Sequence, residues 1–361
     1  MPGLDVAVEL GGEFVHGEAK VTHRLARAAG LHLMPSGRVQ RYASGGRLRP
    51  IDSFAQAQRA MRDLSALDGG DVSFQQFLRR TPLPPLTRSF ARLMVQGFDA
   101  ADPGRASARE IVEEWSELSR SQPRPWGGYG PLMEFLSKGV NLQLATVVRT
   151  IRWKCGSVRV QGTFRGRSWS AWAPRAVITL PLGVMQAGLV KFSPATGKNL
   201  KPLISGPVIR VAMAFPCAFW EQAHPGVAFF HSPKAPFPTF WTPVPLHAPL
   251  LTAWAGGPKA ARLAGSSDKT LLEKALASVR SVLGSIDEPR AFLIHDWQAD
   301  PYARGGYSYV KVGGSGAREA LAAPLEDTLF FAGEATDTEQ SGTVGGALAS
   351  GIRAAREVLN A

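Results

Sequence analysis

Thr328-Leu329-Phe330-Phe331-Ala332-Gly333-Glu334-Ala335-Thr336 is followed after a short loop by Gly342-Thr343-Val344-Gly345-Gly346-Ala347, and this pair of segments carries the strongest fold signal in the chain. Residues 328–332 form a short apolar run of the kind that makes a buried strand, and Gly333-Glu334 ends it. Beyond the loop, Val344, Leu348, Ile352, Ala355 and Leu359 fall at offsets of 0, 4, 8, 11 and 15, which is one face of a helix. Gly342, Gly345 and Gly346 keep the start of that helix free of side chains. A strand feeding a glycine-rich helix start makes a cradle for an anion or a polar ring, because unpaired backbone N–H groups and the helix dipole point out of that end. Glycines there also serve close packing, so this stretch alone leaves both readings open.

Working outward, residues 6–15 read as extended, with Gly11 and Gly12 permitting a close backbone approach. A helical pattern from Thr22 ends at Gly30, and residues 41–48 read as a hairpin turning at Ser44-Gly45-Gly46. Residues 51–121 are mainly helical, with breaks at Pro82, Pro84, Pro85 and Pro103-Gly104. Gly127-Gly128-Tyr129-Gly130 precedes Pro131, which suits the first position of a helix that Gly139 stops. Residues 140–151, 158–164, 169–173, 176–180 and 208–215 carry strand-like patterns, and residues 269–283 return to helical spacing. No internal repeat or disordered linker is evident.

The chain has 361 residues, room for about two domains at ~150 residues each. Hydrophobic residues make up 45% and charged residues 19%, which excludes intrinsic disorder. The 41 Lys and Arg against 29 Asp and Glu leave a net charge of +12, a value that raises nucleic acid as a partner. Arg24, Arg27, Arg38, Arg41, Arg47 and Arg49 are scattered rather than run together, so no nucleic-acid partner is expected. Cys155 and Cys217 make neither a disulfide framework nor a zinc site, and no signal-peptide pattern opens the chain. Residues 176–190 are broken by Pro181 and Gln186, so no membrane span is expected and the reading is a reduced, cytoplasmic protein. The seven histidines, at 16, 23, 32, 224, 231, 247 and 295, have no metal-ligand spacing, and Gly-x-Ser-x-Gly is absent.

Four blocks, taken with a fifth, resemble the flavin-containing amine oxidases, the family of monoamine oxidases, polyamine oxidases and lysine-specific histone demethylases. They are Val8-Glu9-Leu10-Gly11-Gly12-Glu13-Phe14-Val15-His16-Gly17, then Gly127-Gly128-Tyr129-Gly130 with the strand through Val148 and Ile151, then Ile178-Thr179-Leu180-Pro181-Leu182-Gly183-Val184, and the opening stretch through Ala347. The fifth runs from Trp297 through Asp300, Tyr302, Gly305, Gly306 and Tyr307 to Tyr309. Their order matches along nearly the whole chain.

The resemblance implies an α/β architecture with an FAD/NAD(P)-binding-type flavin domain assembled discontinuously from residues 1–20, 126–190 and 297–361. Residues 21–125 and 191–296 would form an α+β substrate domain of helices and antiparallel sheet. It implies non-covalent FAD, since no cysteine stands in the Gly305-Gly306-Tyr307 stretch. Carried over by position, Gly11, Gly12, Trp297, Tyr302 and Gly333 would line the cofactor, and Val148 would contact its adenosine end through backbone atoms. Glu334, Gly342, Thr343 and Val344 would hold the ribityl, pyrophosphate and ring portions. The implied reaction is oxidation of an amine C–N bond by hydride transfer to the flavin, with O2 as electron acceptor. Tyr307 would flank the amine, Thr343 would form the opposite wall with room for a secondary or bulkier amine, and Arg210 stands where the family has lysine.

One feature departs from the family. The Gly-x-Gly-x-x-Gly fingerprint, with the acidic residue one strand later, is not found, and neither Gly314-Ser315-Gly316 nor Gly128-Tyr129-Gly130 supplies it. The expectation is therefore a flavin domain without its first βαβ unit, from a coding region that starts upstream of Met1 or from a gene remnant. The alternative function is a catalytically inactive remnant, or a subunit in an oligomer whose complementing chain carries the fingerprint. A basic polyanion-binding protein ranks lowest, and flavin oxidases of C–C bonds are disfavoured by the Leu10 to Gly17 block.

Overall fold

The computed structural model of the chain describes residues 1, 4–116 and 122–361; the end of the expected helical region, residues 117–121, lies outside them. Its largest sheet has seven strands in the order Ala291–Asp296, Val208–Ala214, Leu250–Gly256, Thr239–Trp241, Val227–His231, Val39–Ser44 and Arg47–Ile51. Neighbours pair antiparallel except Val227–His231 beside Val39–Ser44, which run parallel. Every residue of Val208–Ala214 is buried, which its continuous apolar run dictates, and the one charged member, Arg210, is buried with the rest. The helix Asp268–Leu283 lays Leu271, Ala275 and Val279 against this sheet, where Phe230, Phe237 and Phe240 complete the core.

A helical layer of Ser53–Ala60, Phe74–Arg80, Pro85–Gly97 and Ala108–Ser116 closes over Phe74, Phe77, Ile111 and Trp115. Local chemistry sets these boundaries. Asp52 caps the first helix through Ala55 N at 2.8 Å, Ser73 and Gln76 form a capping box, and Pro85 starts the third.

Four strands, Arg167–Ala173, Ser157–Phe164, Thr146–Lys154 and Lys191–Ser193, make a separate sheet. The strand expected over 140–151 starts instead at Thr146. Ala145 has φ of 53°, which breaks extended backbone, and the preceding Leu142 and Leu144 are exposed. Leu329–Phe331 pairs parallel with Ala176–Ile178, in register Leu329 to Ala176, and buries all three of its side chains. The helix Val344–Asn360 returns along this pair, and Ser350 Oγ accepts from Gly333 N at 2.9 Å.

Residues 6–15, read as extended, form no strand. Distant groups hold this segment in place: Tyr129 N donates to Glu9 Oε1 at 2.6 Å, Trp297 Nε1 to Leu10 O at 2.8 Å, and Val15 N to Pro123 O at 2.8 Å. Its backbone is thereby threaded between the seven-stranded sheet and the start of the last helix.

Candidate functional site

A cavity of about 400 Å³ opens where the seven-stranded sheet, the helical layer, the Gly11-Gly12 segment and the start of Val344–Asn360 meet. A second space of about 280 Å³ continues from it past Gly333 toward Ile178 and Thr179, sharing Trp297, Gly306, Glu334 and Ala347 with the first. Together they form one elongated groove.

One wall is glycine. A Cβ on Gly12 would sit 2.9 Å from Val344 Cγ2, and one on Gly11 would sit 3.3 Å from the Trp297 ring, so three distant parts of the chain converge only because those side chains are missing. Gly342 has φ of 70°, and a Cβ there would meet Tyr307 at 3.5 Å. Glu334 fixes this turn: its Oε2 accepts from Gly342 N at 3.0 Å, Ser308 N at 3.3 Å and Ser308 Oγ at 2.7 Å. Arg318 backs it, donating to Ser308 Oγ at 2.7 Å. Thr343 caps the helix, accepting from Gly346 N at 2.9 Å and donating to Gln340 O at 2.7 Å. The first helical N–H groups face outward at this end.

The sheet side is cationic. Arg210 pairs with Glu13 Oε2 and donates to Gly11 O at 3.0 Å, with its guanidinium 5.2 Å from the Trp241 ring centre. Glu13 also pairs with Arg124 at 3.4 Å and accepts from Trp241 Nε1 at 3.0 Å. Burial pushes the Glu13 carboxyl up, but Arg210 and Arg124 outweigh it and hold the group below its ordinary value. Two arginines against one carboxylate leave this cluster net positive, and Arg210 Nε has no partner.

The helical side is aromatic and acidic. Tyr307 Oη donates to Phe98 O at 2.6 Å, and burial, then Asp99, Glu114 and Glu334, push its phenol far up, so it stays neutral. His16 lies edge-on to Phe98 at 5.0 Å, and burial lowers it to about 4. His231, held by Gln40 Oε1 at 3.1 Å and Thr239 Oγ1 at 3.2 Å, is likewise lowered by burial to about 4. Asp99 and Glu114 line the same wall, and Trp115 Nε1 donates to both Asp99 oxygens at 3.3 and 3.2 Å.

Of the residues singled out in the sequence, Tyr307, Thr343, Arg210, Gly11, Gly12, Trp297, Glu334, Gly342 and Val344 all line the first space, and Gly333 lines the second. Val148 sits within Thr146–Lys154 opposite Gly162, and Tyr302 is 64% exposed; both lie outside the groove. Sequence reasoning did not single out Glu13, Asp99, Glu114, Arg124 or Trp241. Glu13 stood in plain view inside the Gly11 to Gly17 block, and Asp99 is a lone carboxylate between Phe98 and Ala100-Ala101.

The groove fits the ring end of a flavin. Its wall, packed close at Gly11 and Gly12, is mainly apolar and aromatic, the helix start and Arg210 Nε offer donors, and the space beside Gly333, where a Cβ would meet nothing within 4 Å, continues as a channel for a narrower chain. Among the described residues no cluster of three or more His, Cys, Asp or Glu is placed to hold a metal, and no helix is long and apolar enough to cross a membrane.

Comparison with known proteins agrees with this geometry. The family model described as flavin containing amine oxidoreductase matches residues 3–359. Lysine-specific histone demethylase 2 of Homo sapiens is 32% identical over 246 residues, 64% of this chain and 29% of its own length. Polyamine oxidase 4 of Oryza sativa subsp. japonica is 33% identical over 261 residues, 70% of this chain and 53% of its own. This chain thus spans about half of that relative and less than a third of the demethylase. Among solved structures, putrescine oxidase bound to putrescine superposes with a TM-score of 0.80 at 18% identity, covering 99% of this chain and 90% of that one. Cyclohexylamine oxidase from Brevibacterium oxydans also scores 0.80 at 18% identity, covering 98% and 88%.

Proposed function

The chain belongs to the flavin containing amine oxidoreductase family, whose cofactor is FAD, and we propose that it oxidises the C–N bond of a small amine in front of Tyr307 and Thr343. The observation that carries this reading is the convergence of the Gly11-Gly12 segment, the Val344 helix start, Arg210, Tyr307 and Thr343 on one cavity of about 400 Å³. FAD, when bound, would supply the hydride acceptor, with O2 as the proposed electron acceptor.

The chain's own residues bind and orient. Gly11 and Gly12 let Trp297 and Val344 close on the cavity wall, and the Val344 N–H at the helix start would serve as a donor to the ring. Arg210, anchored by Glu13, presents a cation where the family has lysine, with a planar and less compact donor geometry. Trp297 closes one side, while Glu334 holds Gly342 and so the turn that places Thr343. The Tyr307 ring offers a π face to the amine, and Thr343 opposite it leaves width for a secondary or bulkier amine. Val148 and Tyr302 belong to the proposal as outlying cofactor contacts. The same reading assigns residues 1–20, 126–190 and 297–361 to the cofactor side and residues 21–125 and 191–296 to the substrate side. No cysteine stands in the Gly305-Gly306-Tyr307 stretch, which supports non-covalent attachment.

The test is to purify the chain with FAD and follow flavin absorbance and peroxide on addition of primary and secondary alkylamines. Retained flavin and amine-dependent peroxide are expected; flavin that no amine bleaches would overturn the activity. A second reading has its own support: among the described residues the Leu329–Phe331 and Ala176–Ile178 pair is a parallel sheet of only two strands. It makes this chain an inactive remnant or a subunit completed by another chain, and predicts FAD retention only when that second chain is present.

A further inference from the structure

Among the groups facing the cavity, the proposed reaction leaves one pair of carboxyls without a task. We propose that Asp99 and Glu114 form a proton-accepting pair that receives the amine head of the substrate and takes its ammonium proton. This inference rests on the amine-oxidising reading of the cavity and goes beyond it.

Chemistry supplies the need. An alkylamine arrives as a cation, with a pKa near that of lysine at ~10.4, and only the neutral amine has a lone pair able to assist loss of hydride from the adjacent carbon. In a cavity with a mainly apolar lining, a carboxylate of the protein is the nearest acceptor for that proton. The balance is simple: one N–H bond of R–NH3⁺ breaks, its electron pair stays on nitrogen, and the proton forms an O–H bond on a carboxylate. A pair carrying one proton becomes neutral as the amine becomes neutral, so no net charge is created in the cavity.

Placement and elimination point to this pair. Asp99 follows the helix Pro85–Gly97 and Glu114 lies on Ala108–Ser116, and the two neighbouring carboxyls line the same cavity as Tyr307, whose Oη bonds to Phe98 O. Trp115 Nε1 donates to both oxygens of Asp99 and fixes its orientation. The other acids are committed: Glu13 is clasped by Arg210 and Arg124, and Glu334 accepts three hydrogen bonds. His16 and His231 resist protonation because both are buried. Burial and then Glu114 raise Asp99; burial, with Glu334 and Glu110, raises Glu114 against the opposing pull of Arg318. Arg318 is itself held by Ser308, at 2.7 Å to Oγ and 3.1 Å to the carbonyl. Two acids sharing one proton beside a neutral phenol are the acceptor this chemistry requires.

tert-Butylamine makes the test, because it has no hydrogen on its α carbon and binds without turnover. The full chain with FAD is titrated calorimetrically, and an infrared difference spectrum is recorded for the wild type, Glu114→Gln and Asp99→Asn. Wild type should gain the stretch of a protonated carboxyl on binding. Each variant should lose that gain and bind the amine at least about tenfold more weakly, with affinity for neutral tert-butanol unchanged. Should a variant fail to fold, the wild-type spectrum still decides. Amine binding without the gain, or a gain that survives in both variants, overturns the proposal and leaves the amine-oxidising reading standing. No binding by any amine overturns both.

Discussion

Glu13 satisfies Arg210, Arg124 and the indole of Trp241 at once, and among the described residues the hydrogen bonds of the arginine beside the proposed ring site go to Glu13 and Gly11 O. Replacing Glu13 with Gln leaves two buried guanidinium groups without a counter-charge, so urea unfolding should show a loss of ~3–5 kcal/mol. A loss under about 1 kcal/mol would mean that the two cations find other partners. His231 gives a pH-dependent check. Its folded value of about 4 lies below the unfolded value of ~6.5, so the unfolded chain takes up a proton that the fold refuses. Stability from neutral His231 is complete above pH ~6.5 and is lost as pH falls toward 4. His231→Gln removes this titration. Over that window the variant should therefore lose less stability than wild type, by up to ~1.4 kcal/mol per pH unit; parallel curves would contradict the assignment.

At the scale of elements, the last helix separates packing glycines from incidental ones. A Cβ on Gly346 would lie 2.1 Å from Gln340 O, which belongs to the loop that carries the Gly342-Thr343 turn, whereas one on Gly351 meets nothing within 4 Å. Gly346→Ala should therefore destabilise by ~1–3 kcal/mol through overpacking. Gly351→Ala should stabilise by up to ~1 kcal/mol through helix propensity. Thermal or denaturant melts of the two variants check the opposite signs. Thr343→Tyr removes a helix cap and narrows the wall facing Tyr307. Its kcat/KM for secondary amines should fall about tenfold more than for primary amines, and equal loss on both would place the wall elsewhere.

Much of this level was legible in the sequence. The final strand and helix, the hairpin with its Gly45-Gly46 turn and the Asp268–Leu283 helix all follow from local periodicity and turn chemistry. The parallel join between Val227–His231 and Val39–Ser44 was not, because pairing across almost two hundred residues leaves no local pattern. The site divides the same way. Tyr307, Thr343 and Glu334 lie in recognisable blocks, but Asp99 and Glu114 share no motif and reach one cavity through the fold of the helical layer.

For the molecule as a whole, the seven-stranded sheet and the helical layer make two sides of the cavity, and the threaded N-terminal segment with the last helix makes the others. Its net charge of +12 includes Arg124, Arg210 and Arg318, which are internal and serve this site rather than the surface. This arrangement is proposed to hold FAD and to pass it a hydride from an amine. Anaerobic titration of the FAD-supplied 361-residue chain with n-butylamine, followed by flavin absorbance, tests it most directly. Saturable bleaching that air reverses is expected, with all flavin released on denaturation. A chain that retains no flavin, or retains it unbleached by n-butylamine and by a secondary amine alike, would contradict it.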